Sequence, residues 1–203
     1  MHTALLAVVF LAIYYGVTIY LCRGVKLGTR DMAMCAMMIA LTMILESIRF
    51  PLPTGITIPF FSLVPLMVLA LVVDYRLVFI SGWVCGILSV FLLPAWQPVH
   101  WAQIFVEHMV CFSCLGYVGV FGVEPRWRVL CGMILASVLR LTGHIISGVI
   151  FFSQNAWSGW GAWGYSITYN ASQNVPLCLL CILVVLALPM ARIRKAVRKD
   201  TVR

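Results

Sequence analysis

Long apolar runs, each close to the length that crosses a lipid bilayer as a helix, recur along the whole sequence. Seven can be delimited, at residues 3–22, 31–48, 59–73, 77–93, 101–122, 129–152 and 165–190. A bilayer core of roughly 30 Å needs about 20 helical residues, and the runs lack the alternating pattern of a membrane β-barrel. With 63% hydrophobic and 10% charged residues, the composition excludes a soluble globular domain. The sequence therefore predicts an all-α integral membrane protein.

Basic residues lie in short clusters beside these runs and predict how the chain crosses the membrane. Cytoplasmic segments of membrane proteins are enriched in Lys and Arg. If the runs alternate sides and the segment after the first is cytoplasmic, twelve of the fourteen Lys and Arg residues lie in the cytoplasm: Arg23, Lys26, Arg30, Arg76, Arg126, Arg128, Arg192, Arg194, Lys195, Arg198, Lys199 and Arg203. We therefore expect a multi-pass protein of the cell membrane, with its N-terminus outside and its C-terminus in the cytoplasm.

The net charge of +8 does not indicate a nucleic-acid partner, because the cations flank apolar spans without the interleaved aromatic residues of a single-strand-binding groove. The sequence contains no GxxxxGK[ST] phosphate-binding loop, no nucleophile elbow and no HExxH metalloprotease motif. We expect no catalytic residues, no metal site and no ATP hydrolysis by this chain itself.

Ionisable residues are few inside the spans, and they fall on two of them. Glu107 and His108 lie in the fifth run, and Arg140 and His144 in the sixth. Gln103 is four residues before Glu107, so the two share a helix face. A charge inside a helical bundle costs a few kcal/mol, so each needs a partner, and we expect Glu107 to meet His144. The alternative is a purely structural ion pair that holds two helices in register.

Polar and aromatic residues are concentrated between residues 144 and 170, where a lipid-facing segment would favour leucine. Trp157, Trp160 and Trp163 stand among glycines, and Tyr165 and Asn170 follow in the next span. Polar groups in hydrocarbon indicate a protein-enclosed cavity, and a carboxylate facing aromatic rings is a good receptor for an organic cation. The alternatives are an interfacial aromatic belt for the tryptophans and helix–helix hydrogen bonds for the polar residues.

Three segments resemble one family of membrane proteins. The run SGVIFFSQNAWSGWGAWGYSITYN, which follows His144, is similar to the signature of the thiamine-specific S components (the ThiT/YuaJ family) of energy-coupling factor transporters. QIFVEHMV around Glu107 and GWVCGILS at residues 82–89 are similar to two further segments of that family. The resemblance covers about residues 31–190. It implies a six-helix S-component bundle that binds thiamine from outside for ATP-driven uptake, here with one extra N-terminal transmembrane helix.

The resemblance also implies which residues contact the substrate and how the chain is divided. The implied set is Glu107, Arg140, His144, Phe152, Trp157, Tyr165 and Asn170. Gln103 joins this set because it shares a helix face with Glu107. Phe152 stands where the family has a stacking tryptophan, and Ile56 and Gln97 replace aromatic positions. The implied parts are an extra helix with a basic linker at 1–30, a substrate-binding membrane domain at 31–191 and a basic cytoplasmic tail at 192–203.

Small residues near the start of the second span indicate a candidate contact surface for a partner protein. S components use small residues four apart on their first core helix, because such residues let another helix approach closely. Ala36 and Ala40 have this spacing, with Ala33 on the same helix. The resemblance thus implies a transmembrane coupling protein and two cytoplasmic ATPase subunits as partners. It also implies that only those ATPase subunits use ATP and that this chain has no cofactor. Ordinary packing within the bundle is the alternative for these alanines.

Other functions stay open at this stage. Within the same class, Phe152, Ile56 and Gln97 allow a thiamine precursor or another organic cation as the substrate. From different classes, the chain is a structural membrane scaffold, or a haem protein in which His108 and His144 are the ligands. Tight binding of thiamine distinguishes the first class from the other two.

Overall fold

The computed structural model describes residues 2–51, 57–94 and 97–199, and most of them are helical. The helices are α1 (His2–Cys22), α2 (Thr29–Ser47), α3 (Val64–Leu69, continued by a π-helical segment Ala70–Asp74), α4 (Tyr75–Leu92), α5 (Trp101–Gly119), α6 (Arg126–Phe151), α7 (Ala162–Ala187) and α8 (Met190–Lys199). A short hairpin of β1 (Arg49–Pro51) and β2 (Thr57–Pro59) follows α2. The prediction of a helical membrane bundle with an additional first helix is confirmed.

Within the described ranges, five helical segments are long and apolar enough to cross a membrane: Thr3–Cys22, Val64–Leu92, Trp101–Gly119, Arg126–Phe151 and Ala162–Ala187. Val64–Leu92 holds two predicted spans, because Asp74 has an extended backbone (φ −156°, ψ 128°) at which the chain turns. The carboxylate of Asp74 accepts a 2.9 Å hydrogen bond from the Arg76 backbone N–H and so caps α4. The predicted span at 31–48 corresponds to α2, which carries Arg30, Asp31 and Glu46.

Helix α5 is the centre of the bundle, and glycines let its neighbours pack tightly against it. A Cβ at Gly86 would lie 2.7 Å from the Cα of Met109, and one at Gly82 would overlap the backbone of Ser113. Gly132 on α6 faces the Val118 carbonyl in the same way. Gly82 and Gly86 explain the glycine-rich pattern of α4 physically, since only glycine permits backbones to approach so closely.

Helix α1 packs on the outside of α5 and joins it through hydroxyl groups. The Tyr15 hydroxyl donates a 2.8 Å hydrogen bond to the Phe105 carbonyl. Thr18 Oγ1 lies 3.1 Å from the Tyr117 hydroxyl, and Tyr14 hydrogen-bonds Ser113. Interhelical hydrogen bonds of this kind stabilise packing where the hydrophobic effect gives little discrimination between protein and lipid. The extra helix is therefore part of the packed structure.

The hairpin lies at the end of the bundle where α2 finishes. β1 and β2 are antiparallel, with Arg49 opposite Pro59 and Phe50 opposite Ile58. The Arg49 guanidinium donates to the Thr57 carbonyl at 3.1 Å, which ties the two strands together. In the sequence, residues 49–58 separate the second and third apolar runs but do not predict this pairing, and residues 52–56 lie outside the described residues.

The segment predicted as a basic tail at 192–203 begins inside a helix. Helix α8 extends from Met190 to Lys199, immediately after α7. Arg30 donates a 2.7 Å hydrogen bond to the Val197 carbonyl, so α8 is joined to the start of α2. Through Lys199 the segment is consequently a structured element of the bundle, at the end opposite the hairpin.

Candidate functional site

A cavity of about 270 Å³ opens among α5, α6 and α7 beneath the hairpin. We call it the Glu107 cavity. The first turns of α5, the last two turns of α6 and the first half of α7 supply most of its wall. Its lining consists of Arg49, Gln97, Gln103, Glu107, His108, His144, Gly148, Phe152, Asn155, Tyr165, Tyr169, Asn170 and Gln173. The wall thus combines aromatic rings with polar side chains, as small-molecule sites do.

The Glu107 carboxylate is held by three side chains from two helices. His144 Nδ1 donates to Oε1 at 2.8 Å, and Gln103 Nε2 donates to Oε2 at 2.8 Å. The Ser147 hydroxyl donates a further short hydrogen bond to Oε2. Charge-assisted hydrogen bonds of this type fix a carboxylate in one orientation. Glu107 is therefore a preorganised negative group at the cavity wall, with 16% of its side chain exposed.

The backbone that carries Glu107 is a π-helical turn, Ile104–His108, within α5. Such turns within α-helices frequently occur at functional sites. His108, the next residue, faces α4, where its Nδ1 lies 3.1 Å from Ser89 Oγ. Ser89 in turn donates to the Gly86 carbonyl at 2.8 Å. This contact connects the glycine-rich helix to the cavity wall.

Aromatic rings form the side of the cavity that α7 provides. Tyr165 and Tyr169 are stacked, with ring centroids 5.6 Å apart and planes at 26°. Trp157 packs edge-on against Tyr165 at 5.1 Å and against Trp160 at 5.2 Å. Phe152 lines the cavity from the end of α6. A cation in this cavity would contact ring faces as well as the carboxylate.

Helices α6 and α7 touch where Gly148 faces Ser166 and Asn170. The Ser166 hydroxyl donates to the Ile145 carbonyl at 2.8 Å, and Asn170 Nδ2 donates to the Ser166 carbonyl at 2.9 Å. A Cβ at Gly148 would overlap Ser166 Oγ and lie 3.0 Å from Asn170 Nδ2. The absence of a side chain at Gly148 thus lets Asn170 reach the cavity.

Arg140 lies one turn before His144, but its side chain is held outside the Glu107 cavity. It is 2% exposed, and its guanidinium donates to Asn174 Oδ1 at 3.0 Å and to the Cys111 carbonyl at 2.6 Å. It lines a separate space of about 30 Å³ together with Glu46, Arg49 and His144, among others. Its observed contacts join α5, α6 and α7 beneath the cavity.

Of the eight residues predicted for the site, six line this cavity: Gln103, Glu107, His144, Phe152, Tyr165 and Asn170. The expected meeting of Glu107 with His144 is present. Trp157 reaches the cavity only through Tyr165, and Arg140 lies below it. The roles of all eight as substrate ligands stay predictions.

Seven lining residues lie outside the predicted set: Arg49, Gln97, His108, Gly148, Asn155, Tyr169 and Gln173. In the sequence Arg49 directly follows the second apolar run, and its position in the cavity wall depends on the hairpin register. Asn155 belongs to the short 3₁₀ turn Ser153–Asn155 after α6. The polar residues that directly follow Phe152 are the feature of the sequence that could have identified Asn155 as part of the cavity wall. Of the replaced aromatic positions, Gln97 lines the cavity, and Ile56 lies outside the described residues.

Fold and site together define a multi-pass helical membrane protein with a small polar and aromatic binding cavity near one end of its bundle. A family model described as "Thiamine transporter protein (Thia_YuaJ)" matches residues 32–197, which is most of the chain. The chain therefore belongs to this family of thiamine transporters. Helix α1 precedes the matched range.

Two known proteins are similar to this chain. Thiamine transporter ThiT of Bacillus subtilis (strain 168) is 32% identical over 103 residues, which cover 45% of this chain and 54% of that protein. The chain thus spans about half the length of this curated relative. The solved structure of ThiT from Listeria monocytogenes has a TM-score of 0.68 and 22% identity, and the match covers 83% of this chain and 95% of that one. At this identity the second likeness establishes the fold.

Proposed function

We propose that this protein is the substrate-binding subunit of an energy-coupling factor importer and captures thiamine in the Glu107 cavity. The observation that carries the proposal is a preorganised carboxylate beside stacked aromatic rings, in a cavity of about 270 Å³. Ligand pockets commonly measure about 300 to 1,000 Å³, so a cavity of about 270 Å³, just below that range, suits a ligand at the small end. Membership of a thiamine transporter family selects thiamine among small organic cations.

The charges around the cavity favour a cation despite the presence of an arginine in the wall. Arg49 Nη1 lies 3.6 Å from Glu46 Oε1, and the Arg49 side chain also donates to Thr57. Glu46 thus offsets the charge of Arg49. Glu107 is the acidic residue among those that line the cavity. Its carboxylate would face the thiazolium charge or the aminopyrimidine donors of thiamine. Tyr165 and Asn170 would supply stacking and hydrogen bonds.

The proposed orientation places the Glu107 cavity at the outside of the cell membrane. Helix α8, the start of α6 and the segment between α1 and α2 lie at the opposite end of the bundle. They carry most of the Lys and Arg residues: Arg23, Lys26, Arg126, Arg128, Arg192, Arg194, Lys195, Arg198 and Lys199. Because basic residues are enriched in cytoplasmic segments, that end is assigned to the cytoplasm. A substrate from outside then reaches Glu107 without crossing the bundle.

Titration of the purified protein with thiamine, followed by intrinsic tryptophan fluorescence, tests the proposal. Trp157 contacts Tyr165, so occupancy of the cavity should change its emission. Glu107→Gln should weaken binding at least about 30-fold, because truncating one member of a buried charged pair costs about 2 kcal/mol or more. Glu124→Gln removes a carboxylate that is 73% exposed at the other end and should bind like the parent.

Two results would overturn the assignment. Absence of thiamine binding by the parent protein would exclude thiamine as the substrate. Equal affinities of the parent and Glu107→Gln would show that this carboxylate does not recognise the ligand. A melting temperature that no vitamin raises would instead favour a structural scaffold, since a ligand that binds only the folded state stabilises it.

The identity of the thiamine-like ligand depends on Phe152 and Gln97, which line the cavity where related proteins are expected to be aromatic. The phenyl ring gives a smaller stacking surface than an indole. Competition of labelled thiamine against the separate pyrimidine and thiazole halves distinguishes thiamine from a precursor. Phe152→Trp should strengthen thiamine binding if thiamine is the substrate, and weaken it if a smaller precursor is.

The outward face of α2 is the proposed contact with the transmembrane coupling protein. Ala33, Ala36 and Ala40 are all exposed, whereas Thr42 and Glu46, on another face of α2, are buried in the bundle. A stripe of small side chains lets a partner helix approach closely. Ala36→Trp should abolish copurification with the coupling protein while thiamine binding persists.

Ala12→Trp is the matched control for the α2 face, because Ala12 is an exposed alanine on α1. Retention of the coupling protein by Ala36→Trp to the same extent as by Ala12→Trp would remove the α2 face from the proposal. The two cytoplasmic ATPase subunits would then have to be recruited through another surface.

A further inference from the structure

A second concave site lies at the end of the bundle opposite the Glu107 cavity. We call it the arginine groove. It measures about 700 Å³ and is formed by the α5–α6 connection, the start of α6, the end of α7 and the start of α8. Its lining consists of Leu71, Val123, Glu124, Pro125, Arg126, Val129, Val185, Leu186, Leu188, Pro189, Met190, Ala191, Arg192 and Arg194. None of these residues takes part in the Glu107 cavity.

The groove carries three positive charges and one negative charge. Arg126 and Arg192 are exposed, whereas the side chain of Arg194 is only 14% exposed. Arg194 Nη1 lies 3.4 Å from Glu124 Oε1, a long contact to a carboxylate that is itself 73% exposed. The excess positive charge therefore faces the groove without a matching number of carboxylates from its own lining.

The Nε of Arg194 is the sharpest sign of a missing ligand. This atom is buried, and no acceptor among the described residues bonds it. A buried N–H of a charged group that lacks an acceptor is costly, so native structures normally supply one. An anionic oxygen placed in the groove would satisfy Arg194 and meet Arg126 and Arg192 at the same time.

The remaining wall of the groove is aliphatic and continues from the bundle. Leu71, Val129 and Val185 are buried there, and Leu186 and Leu188 are partly covered. Among the residues that line the groove no aromatic ring is present on which a base could stack. A phosphate joined to hydrocarbon matches this combination of guanidinium groups and aliphatic walls, whereas a nucleotide does not.

We propose that the arginine groove binds an anionic phospholipid of the leaflet at this end of the bundle. Its phosphate would lie among Arg126, Arg192 and Arg194, and its acyl chains would follow the aliphatic wall. Basic pockets between transmembrane helices at the cytoplasmic side select acidic lipid headgroups in this way. The bound lipid would join α6, α7 and α8. This site does not rest on the substrate proposed for the Glu107 cavity.

Native mass spectrometry of the full chain, after exchange into mixtures of phosphatidylglycerol and phosphatidylcholine, tests the groove. The parent should retain phosphatidylglycerol in preference to phosphatidylcholine. Arg126→Gln/Arg194→Gln should lower the affinity for phosphatidylglycerol roughly 25-fold, because each arginine contributes about fivefold. The fraction of protein that retains the lipid should fall accordingly. Arg192→Gln changes only an exposed side chain, so it tests the groove even if the double variant does not fold.

Arg23→Gln/Arg128→Gln is the matched control for charge. Both of these arginines are exposed, each lies beside an aromatic ring, and neither lines the groove. Arg23 directly follows α1 at the same end of the bundle as the groove. The contact of the preceding residue places it there, because Cys22 Sγ lies 3.7 Å from the Arg76 carbonyl. The control should retain phosphatidylglycerol as the parent does.

Three outcomes would overturn the lipid site. Equal retention of both lipids by the parent would remove its selectivity for acidic headgroups. Equal losses in the groove variants and the control would reduce it to surface charge. Displacement of phosphatidylglycerol by inorganic phosphate at equal concentration would identify a free-anion site that makes no use of the aliphatic wall.

Discussion

Replacement of Gly148 by alanine should separate α6 from α7 at the Glu107 cavity. The new methyl group would overlap Ser166 Oγ and lie 3.1 Å from Ser166 Cβ and 3.0 Å from Asn170 Nδ2. The Ser166 hydroxyl cannot simply rotate away, because it donates a 2.8 Å hydrogen bond to the Ile145 carbonyl. Either that bond is lost or the two helices move apart.

Both routes have a cost that can be estimated. Loss of one hydrogen bond costs about 0.5 to 1.5 kcal/mol, and overpacking of a well-packed contact costs about 1 to 3 kcal/mol. A change of about 1 to 3 kcal/mol in the free energy of unfolding should lower the melting temperature by about 2 to 12 °C in a chain of this size. Thermal unfolding in detergent, followed by tryptophan fluorescence, measures the shift.

Gly161→Ala is the control for Gly148→Ala. A Cβ at Gly161 would meet no atom within 4 Å, and Gly161 has a negative φ of −76°. The addition of Ser166→Ala to Gly148→Ala should restore part of the loss, because it removes the oxygen that the methyl group overlaps. Equal melting temperatures for Gly148→Ala and Gly161→Ala would refute the close approach of the two helices.

Two further substitutions test polar contacts within the bundle. Arg140→Met should lower the free energy of unfolding by about 3 kcal/mol or more, measured by thermal melting, because hydrogen bonds to a charged group are worth about 1.5 to 3 kcal/mol each and Asn174 and the Cys111 carbonyl both lose one. Tyr15→Phe should cost about 0.5 to 1.5 kcal/mol in the same measurement and weaken thiamine binding, because it frees the Phe105 carbonyl within the π-helical turn.

Exposed residues of the same types provide the controls for these two substitutions. Arg128→Met and Tyr20→Phe alter an arginine and a tyrosine at the surface and should leave the free energy of unfolding within about 0.5 kcal/mol of the parent value. If Arg140→Met and Arg128→Met have the same melting temperature, the buried Arg140 guanidinium does not hold the helices together. If Tyr15→Phe leaves thiamine affinity unchanged, α1 does not position the turn that carries Glu107.

Helical spacing predicted the centre of the site because its residues are close in sequence on regular elements. Gln103 and Glu107 are four apart and do form a hydrogen bond, and the polar residues of α7 face the cavity as the same period requires. The pairing of Glu107 with His144 followed from the cost of a lone charge in the membrane. Both inferences depend on helical periodicity and on the cost of an isolated charge, and both can be read from the sequence without knowledge of the fold.

Other parts of the site depend on contacts that spacing does not specify. Arg140 shares a helix face with His144, yet its long side chain reaches Asn174 and the Cys111 carbonyl below the cavity. Arg49 enters the lining through a hairpin whose strands pair across a break in the chain. In both cases a long-range contact selects one direction among several that the local backbone allows, so the sequence pattern alone could not decide.

The extra first helix connects to the site through the irregular backbone of α5. A π-helical turn leaves backbone groups without their usual helical partners, and such groups must find others in a membrane. The Tyr15 hydroxyl reaches the Phe105 carbonyl inside that turn, two residues from Glu107. Because α1 precedes the range 32–197 that matches the family, this hydrogen bond comes from outside the shared domain. The addition therefore stabilises the one turn of α5 that presents the carboxylate to the cavity.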